Sequence, residues 1–114
     1  MELLPALIKA LKDNREAVRH SAVRGLREIA HKHPEHNWNT DAIPALIETL
    51  NDKDWLVRSW AAGTLGEIGD EGVLPALRKV AKNDHEKWIR DMAEEAIKEI
   101  EAKNPPACKP STNP

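Results

Sequence analysis

Apolar residues recur along the chain at the spacing of one helix face. Leu4, Leu7, Ile8 and Leu11 stand at i, i+3, i+4 and i+7, as do Ile43, Leu46, Ile47 and Leu50. A second kind of stripe follows each of these. It reads Val18, Ala22, Leu26, Ile29, then Val57, Ala61, Leu65, Ile68, then Ile89, Ala93, Ile97, Ile100. The pattern predicts helices near 2–12, 15–31, 41–51, 54–68, 71–82 and 85–102. Pro5, Pro44 and Pro75 fall in first turns, where backbone N–H groups have no intrahelical acceptor to lose. Asp13 or Asn14, Asp41, Asp52 or Asp54, Asp70 and Asp84 stand where N-caps are wanted.

The helices come in pairs, three times over. LLPALIKAL at 3–11 returns as AIPALIETL at 42–50 and, more weakly, as VLPALRKVA at 73–81. Each is followed by a second-helix pattern: AVRHSAVRGLREI, LVRSWAAGTLGEI and WIRDMAEEAIKEI. The unit is a helical hairpin that cannot bury its stripe alone, so neighbours share one core. The repeats divide near 1–37, 38–69 and 70–103 of a single domain, and 104–114, NPPACKPSTNP, reads as a disordered Pro-rich tail.

The segment DKDWLVRSWAAGTLGEIGD at 52–70 resembles the HEAT-repeat family, most closely its short HEAT-like class. The resemblance covers about 1–102. It implies an all-α fold, a right-handed α-α superhelix of three hairpins, with a concave binding face on the second helices. It also implies that Arg19, Arg58 and Arg90 bond acidic residues or carbonyls near the hairpin turns, with Asp52, Asp54 and Asp84 as candidate partners.

Composition narrows the chemistry. The 114 residues carry a net charge of −2, which argues against a dedicated nucleic-acid binder. No apolar run approaches the ~18 residues a membrane helix needs, and the first residues do not read as a signal peptide. A cytoplasmic location follows as the expectation. The single cysteine, Cys108, rules out an internal disulfide, and its Pro-rich setting offers no held base for a nucleophile. His31, His33 and His36 could in principle bind a transition metal, but no carboxylate–His pattern of metal geometry surrounds them; His near a helix C-terminus suits the helix dipole. His85-Glu86 resembles the His-Glu pairs of HEAT-like iron hydroxylases. There the pair recurs on several second helices, whereas here the corresponding places read His20-Ser21, Ser59-Trp60 and Asp91-Met92. No metal, cofactor or catalytic residue is expected on these grounds.

The remaining candidates lie on the second helices, off the buried stripe: His20, Arg24, Trp55, Leu56, Ser59, Trp60, Trp88, Asp91, Met92 and Glu95. Tryptophans on a surface point to binding, although Trp55 and Trp88 could equally cap the core. The expectation is a non-catalytic adaptor, not an enzyme, that binds a protein or peptide of mixed charge. Nucleic-acid binding and an accessory or lyase-type HEAT-like enzyme subunit are the alternatives. The C-terminal copy carries Glu94 and Arg78 where other copies are apolar. The N-terminal copy, opening on Leu3-Leu4 and carrying Val23, looks uncapped, which would allow self-association.

Overall fold

Six α-helices follow one another in antiparallel pairs in the computed structural model, which describes residues 3–33 and 42–104. They are α1 (Leu3–Ala10), α2 (Glu16–Lys32), α3 (Ala42–Thr49), α4 (Trp55–Ile68), α5 (Leu74–Asn83) and α6 (Lys87–Lys103). No strand occurs among the described residues. The fold is a helical-repeat solenoid, as the stripes predict.

The stripes meet in one core. Leu26, Leu46, Leu65, Leu77, Ile89 and Ile100 are fully buried, and Ala22, Ala61 and Ala93 let the second helices approach closely. Helices α2, α4 and α6 pack into a continuous layer, and α1, α3 and α5 each pack on their own hairpin partner. The first helices stand apart, with a groove of about 560 Å³ between α3 and α5, floored by Ile47, Leu50, Ala76 and Val80.

Local chemistry sets the helix ends. Gly69 stops α4 in the left-handed region, at φ 78°, and donates its N–H to Leu65 O. A side chain there would be strained and would also meet Lys103. Asp70 caps a short 3₁₀ turn, Glu71–Val73, that leads into α5. Asp13, Asp52 and Asp84 do a different job from the N-capping expected of them. The residues at N-cap are Arg15, Asp54 and Glu86. Each aspartate instead accepts the N–H two residues on, at 2.8, 2.8 and 2.9 Å, which closes an Asx turn just before the helix. The expected cap Asp41 lies outside the described residues.

Those turns anchor a ladder between repeats. Arg19 donates Nε and Nη2 to the Asp52 carboxylate at 2.8 and 3.2 Å, and Nη1 to the carbonyls of Asp13 and Asn14. Arg58 repeats this on Asp84, at 2.9 and 3.3 Å, and on the carbonyl of Asp52. Asp54, the third candidate partner, takes no part. Both pairs are nearly dry, with side-chain exposures of 8% and 9% for Arg19 and Asp52.

Candidate functional site

The two junctions of the solenoid share a register but not a surface. On α2, position 27 is arginine where α4 has Gly66. A Cβ on Gly66 would fall 3.1 Å from the Cα of Ala96, so α6 lies directly on α4 there. At the first junction the long Arg27 side chain holds space open. The result is a groove of about 590 Å³ lined by Arg24, Arg27, His31, Trp60 and Glu67, among others.

Trp60 is the floor of this groove. It is half-buried, with its inner edge against the core. The guanidinium carbons of Arg24 and Arg27 lie 5.9 and 5.4 Å from its ring centroid, within cation–π range. Gly63, one turn on, leaves room for Arg27: a Cβ there would sit 3.1 Å from its Nη1. Glu67 joins the wall, 3.3 Å from His31 Nδ1 and 3.9 Å from Arg27. His20 meets Trp60 edge-on, with centroids 6.0 Å apart, and its Nε2 is buried without a hydrogen-bond partner. The groove thus offers a flat aromatic surface with guanidinium groups at its rim, a chemistry suited to planar or anionic groups.

The structure divides the predicted residues into groups. Arg24 and Trp60 come together at this groove, and His20 abuts the Trp60 ring beside it. Trp55 and Trp88 are 42% and 45% exposed and form a separate edge-to-face pair, 5.3 Å apart, at the starts of α4 and α6. Leu56 and Met92 are half-buried. Asp91 is exposed and bound to Lys87 at 3.0 Å, and Glu95 is exposed. Ser59 is a correction: it is 3% exposed, and its hydroxyl donates back to Leu56 O at 2.9 Å. It lies on the side of α4 that receives α6, where a small residue is needed. Val23, expected at an uncovered end, has no exposure because it faces α4, and Leu4 is buried too. His36, Cys108 and the tail beyond Asn104 lie outside the described residues. The groove also takes in Arg27, His31 and Glu67, which stand outside the candidate binding set. Positions 20, 24, 27 and 31 fall at helical spacing on one face of α2, a signal that was available.

His85 and Glu86 stand exposed in the turn before α6, and Glu86 is its N-cap. Among the described residues no three His, Cys, Asp or Glu side chains come together as metal ligands. No described helix is long and apolar enough to cross a membrane.

Paired helices, a shared core and an interrepeat Arg–Asp ladder define an α-solenoid. Residues 4–98 match the family model for HEAT repeats, and the chain belongs to that family. It is 35% identical over 98 residues to the deoxyhypusine hydroxylase of Arabidopsis thaliana, covering 84% of this chain and 29% of that protein. It is 36% identical over 94 residues to the deoxyhypusine hydroxylase of Aspergillus oryzae, covering 80% and 25%. It is 28% identical over 100 residues to the bilin biosynthesis protein RpcF of Synechococcus, covering 88% and 44%. The chain therefore spans between a quarter and a half of the length of these relatives.

These relatives correct the functional expectation. A hydroxylase is an enzyme, and the similarity points away from a non-catalytic adaptor. The expectation failed because hairpin repeats serve binding and catalytic proteins alike, so the fold pattern does not decide the chemistry.

Proposed function

We propose that the chain works as part of a HEAT-like enzyme, as the subunit or segment that holds a substrate in the groove between α2 and α4. The observation that carries this reading is the similarity of nearly the whole chain to hydroxylase and bilin-biosynthesis proteins while it spans less than half of each. In this reading the catalytic groups come from residues outside the described hairpins, and the groove supplies orientation. Trp60 gives the flat surface, Arg24 and Arg27 give positive charge, and Glu67 stands beside Arg27 and His31. We place this work in the cytoplasm, in keeping with a chain of one cysteine.

Binding tests the reading directly. The purified protein is titrated with a deoxyhypusine-bearing peptide and, separately, with a bilin, and tryptophan fluorescence is followed. One of the two should bind, and Trp60→Ala should weaken it about tenfold or more, equivalent to about 1.4 kcal/mol. Trp88→Ala should leave it unchanged. If neither binds, or if Trp60→Ala has no effect, the groove is not the substrate site.

A further inference from the structure

The ladder is unfinished at one end. Arg90 follows Arg19 and Arg58 in register, and its Nη1 donates to the carbonyls of Asp84 and His85 as theirs do to the preceding turns. Its Nε and Nη2 differ: among the described residues no carboxylate reaches them. At the other end no arginine of another described repeat reaches Asp13. Arg15 fills in from the same turn, giving Nε and Nη2 to the two carboxylate oxygens at 3.0 and 3.1 Å, with a side chain 75% exposed. One end thus holds an unmet guanidinium and the other a carboxylate held by a solvent-facing stand-in.

A second pair of positions shows the same asymmetry. At the first junction Arg27 faces Glu67 at 3.9 Å. In register, Arg27 corresponds to Lys98 on α6, and Glu67 corresponds to Glu28 on α2. Lys98 is exposed and has no ion pair among the described residues, and Glu28 is exposed with only the in-helix Lys32 at 3.7 Å. Ile97 stands where Leu26 and Leu65 are fully buried, yet is only partly covered. On α2 the outward Ala17 and Ser21 are small and exposed.

We propose that the protein associates head to tail with a second copy, α6 of one against α2 of the next, with Arg90 taking Asp13 and Lys98 taking Glu28. The contact repeats the interrepeat register, so Arg90 displaces Arg15 from Asp13 and Ile97 becomes covered. It is heterologous and leaves a free end on each copy, so it grows as an open chain. Glu94 occupies the place of the buried Val23 and Ala62, and Arg24 stands beside Lys98 in the place of the Gly63 that makes room for Arg27, so this junction is more polar than the internal ones and sets two cations side by side. The association is accordingly weak and salt-sensitive.

Sedimentation across a dilution series, at low and raised salt, tests this with a reciprocal charge swap. The wild-type protein should show a mass that rises with concentration at low salt and falls back with salt. Asp13→Arg alone sets Arg90 against a like charge, and Arg90→Asp alone does the same to Asp13, so each should stay monomeric. Mixed together they restore opposite charges where the two variants meet, and the mass should rise again. Helical signal and melting midpoint are followed for both variants, and the mixture keeps the test decisive if one is less stable. A wild-type protein that is monomeric at every concentration overturns the proposal. So does Arg90→Asp that associates like wild type, or a mixture that fails to recover.

Discussion

The first junction, between α2 and α4, and the second, between α4 and α6, are built on one register and end up with opposite surfaces. Both carry a dry Arg–Asp rung at the turn end. Beyond that rung, Gly66 lets α6 press against α4, and Lys103 and Asn104 reach across to the carbonyls of Glu67 and Gly69 at 2.7 and 2.8 Å. At the first junction Arg27 takes the place of that glycine, and a groove with an aromatic floor opens instead. Glycine or arginine at one position, and Trp60 and Gly63 where α6 has Met92 and Glu95, separate a sealed seam from a candidate binding site. The dry rungs and the groove lie on different rows of the same helices.

The largest effect should come from breaking the rung itself. Arg19→Ala leaves the Asp52 carboxylate buried without its partner and should cost ~3–5 kcal/mol in chemical denaturation. Arg90→Ala loses only carbonyl bonds and should cost ~1 kcal/mol or less. Equal losses would mean that the third rung is not open.

Next comes the exchange of the two junction residues. Gly66→Arg places a side chain against the backbone of Ala96 and should destabilise by ~1–3 kcal/mol, and more if α6 detaches. Arg27→Gly should stay within ~1 kcal/mol, because Arg27 is about one-third exposed and its ion pair is loose. The same denaturation curves measure both, and a costly Arg27→Gly would show that the groove wall supports the core.

Trp60→Ala should fall between these, near ~1–2 kcal/mol, since its inner edge is packed on the core and its outer face is open. Trp88→Ala should cost less, given its 45% exposure. The reverse order would place the aromatic floor at the wrong junction.

The smallest effect is electrostatic. Hydrogen bonds from Arg15 hold the Asp13 carboxyl at about 2, below its ordinary 3.8. A carboxyl depressed in the folded state contributes fully above the unfolded value and loses that contribution as pH falls through about 2. Arg15→Ala should move the titration midpoint up toward 3.8, read by carboxyl chemical shift, with the melting point near neutral pH nearly unchanged.

Much of this molecule is legible in the order of its residues. The period of Leu4 to Leu11 and of Val57 to Ile68 fixes six helices and their buried faces, because burying an apolar stripe of 3.6 period has one local solution. The recurrence of Arg19, Arg58 and Arg90 after a turn aspartate announces the ladder. Trp60 and Arg24 are readable as candidates because they stand off the stripe. Only the tertiary structure decides which off-stripe residues meet. Ser59 vanishes beneath α6, Val23 turns inward to α4, and Arg27 joins Trp60 and Glu67. These outcomes depend on how closely two helices approach, which is set by side-chain size on both partners at once. No single helix encodes that distance. For the same reason the sequence displays three like arginines, and the fold alone reveals that the last meets only carbonyls among the described residues.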